Sequence, residues 1–127
     1  NHIKIENEEL LDDILKTQSD YSGGNIPQVS IYYNDEAYPT IFVYNYIFES
    51  MAYLIERYCF GAEERINEFP YNACEMVCRQ IYPEFLNHPE YLVAICELAL
   101  MHEHSGIQFY LTLKHLKETM IDFSNIN

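Results

Sequence analysis

From Ile41 to Cys59, apolar side chains recur with the period of an α-helix. Ile41, Tyr44, Ile47, Phe48, Met51, Leu54, Ile55, Tyr58 and Cys59 fall along one continuous side of the wheel. A strand alternates every second residue and cannot keep that register, so one helix is expected from Thr40 to Phe60. Pro39 would sit in its first turn, where a missing N–H costs nothing, and Gly61 would end it. The opposite side is apolar too: Phe42, Tyr46, Tyr53 and Phe60 form a second stripe, with Glu49 and Glu56 on one edge and Arg57 on the other. A surface helix normally has one apolar face. Either this helix is sandwiched between layers of the domain, as core helices commonly are, or its second stripe meets a partner.

The rest of the chain supplies material for such layers. Asn7 can cap a first helix, and residues 1–20 are expected as an acidic amphipathic helix. Leu10, Leu11, Ile14 and Leu15 lie on its inner side, and Glu8, Glu9, Asp12 and Asp13 on its outer side. Gly23 and Gly24 mark a joint, and residues 21–38 are expected as a loop or short strand. Within them Val29, Ile31 and Tyr33 alternate with Gln28, Ser30 and Tyr32. The strand partner would be residues 41–44, through a turn at 34–37, or the alternating His2–Ile5 stretch. A short acidic turn or helix follows at 62–69. Asn72 with Glu75, and Ser105 with Gln108, have capping-box spacing and open further helices. Pro83 ends one helix and His88-Pro89 starts another. Tyr91 to Met101 is apolar nearly all round apart from Glu97, the pattern of a central buried helix. The expectation is a mainly α, single-domain bundle of about five helices over residues 1–127. Its helical core spans 39–123, and a minor hairpin or strand pair lies near 28–44. A chain of 127 residues can bury more than about 60% of its unfolded surface, enough for its own core.

Charge narrows the choice of partner. Twenty acids against seven basic residues give a net charge of −13, all of it within residues 1–103. Such a chain is a poor match for a nucleic-acid backbone or an anionic membrane, each of which selects cationic surfaces. A basic partner remains, or a plain solubilising surface. Cys59, Cys74, Cys78 and Cys96 occur with no signal-peptide pattern and no run long enough to span a bilayer, so reduced thiols and a cytoplasmic location are expected.

No reaction motif stands out. Cys74, Cys78, His102 and His104 have the wrong spacing for a zinc knuckle, and small cysteines on a helix face are ordinary core residues. No metal or cofactor is therefore expected. A cysteine nucleophile needs a cationic setting, which this acidic chain lacks; Cys59 is the least poor candidate. Glu97 should be buried, so it needs a partner such as Arg79 or a tyrosine hydroxyl, and reads as a structural anchor rather than a general base. The paired acids diverge around their helices and form no catalytic dyad.

Seven of the twelve tyrosines lie between Tyr32 and Tyr58. Tyrosine can be half buried, still hydrogen-bond, and freeze few rotors on binding. Rings interleaved with carboxylates present repeated negative charge and flat π-faces, which is what a basic nucleic-acid groove accepts. In composition, though in no motif, the chain is similar to small acidic helical proteins that inhibit nucleases or restriction and CRISPR effectors. It is expected to be a non-enzymatic interaction module that blocks a basic protein surface. Glu8, Glu9, Asp12, Asp13, Glu49, Glu56, Glu63 and Glu64 would carry charge, and Tyr46 and Tyr53 would anchor. The alternatives are a homodimer or larger homo-oligomer built on the second aromatic stripe, and a metal- or thiol-dependent enzyme.

Overall fold

Three short strands and four α-helices pack around one apolar core in the computed structural model, which describes residues 2–6, 8, 27–33, 38–61 and 69–119. The strands are β1 (His2–Glu6), β2 (Gln28–Tyr32) and β3 (Thr40–Ile41), antiparallel in the order β1-β2-β3. The two partners considered for residues 28–32 are thus both used. Ile3 stands opposite Ile31 and Ile5 opposite Val29, while Ile31 also faces Thr40. Val29 and Ile31 are buried, as their alternation implies, but Ser30 between them is buried as well, so the central strand is covered on both faces. At the edge, the Ile3 N–H donates to the Gln80 side-chain oxygen at 2.9 Å.

The helix expected from Thr40 begins later, as α1 (Tyr44–Phe60). Thr40 and Ile41 belong to the sheet, and the Phe42 N–H continues the ladder to the Val29 carbonyl at 2.8 Å. Val43 is fully extended. β-Branched Thr40, Ile41 and Val43 suit a pleated backbone, and the sheet supplies the hydrogen bonds that a first helical turn would leave open. Gly61 ends α1 as expected, in the left-handed region at φ 67°, its N–H reaching back to the Glu56 carbonyl.

The remaining elements are α2 (Ala73–Ile81), a 3-10 turn at Pro83–Asn87, α3 (Pro89–Leu100) and α4 (Ser105–Glu118). Pro83 and Pro89 punctuate them where the sequence places them. Neither capping box forms: Asn72 and His104 are the N-cap residues, each without a side-chain cap. Ser105 instead donates to the His102 carbonyl.

The central helix is α2, not α3. Ala73 to Cys78 are all buried, because α2 packs against α1, α4, β1 and the 3-10 turn. α3 buries only Leu92, Ile95, Cys96 and Ala99; Tyr91, Ala94, Glu97, Leu98 and Met101 face out, Met101 at 79% exposure. Its continuous apolar run reflects an uncovered surface rather than a central position.

α4 reaches the sheet closely. A Cβ at Gly106 would collide with the Phe42 carbonyl oxygen, so glycine is what lets this helix start against the β3–α1 junction. There Phe42 and Phe109 meet edge to face at 5.5 Å. Of the acidic helix expected over residues 1–20, His2–Glu6 are instead strand β1, because their alternating Ile3 and Ile5 pair with Ile31 and Val29 of β2. Residues 9–20, the Gly23–Gly24 joint, the turn at 34–37 and the acidic stretch at 62–68 lie outside the described residues.

Candidate functional site

α1 holds most of the rings on which a recognition surface was expected, and it is turned about its axis relative to that expectation. It buries Ile47, Ser50, Tyr53 and Leu54. Ser50 points inward because its hydroxyl is doubly used. It donates to the Tyr71 carbonyl and accepts the Cys74 N–H, both at 3.1 Å, and so joins α1 to the start of α2. Buried hydroxyls settled this way cost little and fix orientation.

Tyr53, expected as an exposed anchor, is 3% exposed and packs on Tyr71. Its hydroxyl accepts from Arg57 Nη1 at 3.0 Å. Arg57 also donates to the Tyr58 hydroxyl at 2.7 Å and to Glu75 Oε2 at 3.3 Å, and its guanidinium lies over both tyrosine rings. Burial by itself would lower the Arg57 pKa; the Tyr53 hydrogen bond and the Glu75 charge outweigh it, so the cation is held more firmly than in water. Arg57 and Glu75 are thus an almost buried ion pair, their side chains 10% and 9% exposed. Tyr46 is half buried against Phe69, and Phe42 belongs to the core. Of the second stripe, only Phe60 stands fully in solvent.

The anchoring carboxylate expected at Glu97 is instead Glu75. Glu97 is exposed on α3, as is Arg79 on α2. No sequence pattern links Glu75 to Arg57, 18 residues earlier; only the α1–α2 packing brings them together.

What α1 shows to solvent is a different set of rings. Tyr44 is 51% and Phe48 48% exposed, and Val43, Tyr58 and Phe60 are exposed too. Their helical period puts Tyr44 and Phe48 on the core side of the wheel, and the structure turns both outward. The polar positions Asn45, Glu49 and Glu56 define the solvent direction, and Tyr44 and Phe48 lie on its edge. Glu49 and Glu56 are exposed as expected, and neither makes an ion pair among the described residues. Tyr44 and Phe48 are nearly parallel, their centroids 6.2 Å apart at 17°, and with Asn45 and Glu49 they line a shallow open cleft of about 270 Å³. Glu8 is exposed; Glu9, Asp12, Asp13, Glu63 and Glu64 lie outside the described residues.

Thiols and histidines form no comparable centre. Cys74 and Cys96 approach at 3.6 Å between α2 and α3. Burial, then the hydrogen bond to Cys96, pushes the Cys74 thiol well above its usual pKa, and burial pushes Cys78 up to about 12. These protonated thiols are weak nucleophiles and ligands. Cys59, expected to be a core cysteine if not a nucleophile, is exposed, and so is His102, while His104 is half buried. Among the described residues no three His, Cys, Asp or Glu side chains converge as metal ligands. Nor is any helix there long and apolar enough to cross a membrane. No family model, curated protein or solved structure matches the chain.

Proposed function

We propose that this protein is a non-enzymatic acidic interaction module of the cytoplasm that covers a basic surface on a nucleic-acid-processing enzyme, as a counter-defence inhibitor from a phage or mobile element would. The observation that carries this reading is on α1: the half-exposed rings of Tyr44 and Phe48 stand beside the exposed carboxylates Glu49 and Glu56, while the helix's one arginine is spent internally on Glu75. Exposed rings with an acidic rim match a cationic partner in both area and charge. The net charge of −13 adds long-range attraction toward such a target. Four unpaired cysteines, three of them buried, support a reducing compartment.

The test is capture of partners from the source cell at low ionic strength, repeated with added salt. Electrostatically steered binding should weaken at least tenfold between 50 and 300 mM salt, estimated as for surface charges screened over a Debye length. Retention that is indifferent to salt defeats the proposal.

A second reading, self-association, draws on α3, where Tyr91, Ala94, Leu98 and Met101 make an exposed apolar stripe. It requires a dimer by light scattering that Leu98→Glu dissociates. The buried Tyr53 is not suited to that test.

A further inference from the structure

The cleft on α1 resembles, in its parts, a site the protein already uses. Around Arg57, two rings separated by about one and a half helical turns and one carboxylate hold a guanidinium. Its carbon lies 5.0 Å from the Tyr53 centroid and 4.4 Å from that of Tyr58, and Glu75 takes the charge. One edge further round the same helix, Tyr44, Phe48 and Glu49 repeat the set of ring, ring and carboxylate, with the Asn45 side chain added. Among the described residues, no lysine or arginine of the chain lies over Tyr44 or Phe48.

We infer that the cleft formed by Tyr44, Asn45, Phe48 and Glu49 is a recognition site for one arginine side chain of the partner. This rests on the reading of the protein as a module for basic surfaces, and it names the chemistry of one contact. The guanidinium stacks on the rings and pairs with Glu49, and the Asn45 carbonyl can accept a further N–H. The two rings are nearly parallel, their centroids 6.2 Å apart, and half in solvent, so each offers a guanidinium an accessible flat face. The positive end of the α1 dipole is nearby, but it amounts to about half a charge and acts mainly along the axis, whereas Glu49 brings a full negative charge one turn in. Arginine is favoured over lysine because it can stack and form a fork at the same time, while ammonium is more strongly hydrated.

The experiment titrates the full chain with N-acetyl-arginine amide and follows it by NMR. Saturable shifts centred on Tyr44, Asn45, Phe48 and Glu49 are expected in the millimolar range. N-acetyl-citrulline amide, with the same shape and no charge, should bind at least tenfold more weakly, and the lysine analogue should fall between. Phe48→Ala and Glu49→Gln, both at exposed positions, should each weaken the arginine probe five- to tenfold. Equal binding of citrulline overturns the inference, as do shifts spread evenly over remote acids such as Glu97 and Glu118. Failure of the two proposals separates cleanly. If wild type and Phe48→Ala capture the same salt-sensitive partner equally, the arginine site falls and the module stands. If the probe discriminates arginine from citrulline but no salt-sensitive partner is captured, the site stands and the module falls.

Discussion

Two clusters built around α1 use the same kinds of residue in opposite surroundings. Toward the interior, Tyr53, Arg57 and Glu75, with Tyr58 at their exposed rim, form a closed set in which every charge has its counter-charge within the chain. On the outer edge, Tyr44, Phe48 and Glu49 offer rings and a carboxylate without a cation of their own among the described residues. What separates a structural joint from a docking feature is therefore the presence of the complementary charge, and not the aromatic content. The inner set should carry stability, and the outer set should carry almost none.

The strongest way to break this comparison is Arg57→Ala. It leaves Glu75 buried without its cation, and loss of one partner of a buried pair typically costs about 3 kcal/mol or more. Thermal melting should fall by about 10 °C for a chain of this size, with rescue if Glu75→Gln is added. If the single variant melts with wild type, the inner cluster is not structural. Ser50→Ala should cost about 1–2 kcal/mol in urea unfolding, since it strips the Cys74 N–H of its acceptor in the core.

A smaller effect tests the same interior by pH. Cys78 has a folded pKa raised from 9.0 to about 12, so its stabilising contribution is complete below pH 9 and lost as pH rises from 9 through 12. In that window the unfolded chain has already released the proton that the folded chain still holds. About 1 kcal/mol should be gone by pH 10, and Cys78→Ala should flatten the decline relative to wild type. The smallest change in stability belongs to the outer edge. Phe48→Ala should alter unfolding by no more than about 0.5 kcal/mol, while reducing capture of a basic partner severalfold. A large loss of stability there would show that the two clusters do not differ in the way described.

The sequence made the boundaries of this fold readable where backbone chemistry decides them. Gly61, Pro83 and Pro89 stop or start elements because of what their own φ angles and missing donors permit. The alternation through Val29 and Ile31 identified a strand for the same reason. The facing of α1 was not readable, since it is set by residues remote in the chain. Ser50 is drawn in by Tyr71 and Cys74, and Tyr53 by an arginine that is itself held by Glu75. Apolar periodicity weighs every ring alike and cannot see those bonds, so it placed Tyr44 and Phe48 inside and Tyr53 outside. The exposure of α3 has a related cause. An apolar sequence implies something to cover it, and here α2 took the centre, leaving Leu98 and Met101 in solvent. For the candidate surface, Glu49 and Glu56 were legible; the rings beside them were not.

The bond from the Ile3 amide to Gln80 has a consequence for how other molecules can approach. Its N–H is turned away from β2, on the rim where an intruding backbone would otherwise add itself to the sheet. The glutamine acts as a stopper in that rim. A visitor to this rim is steered toward the helix side chains, because extending the sheet beyond β1 would first require pulling the stopper out.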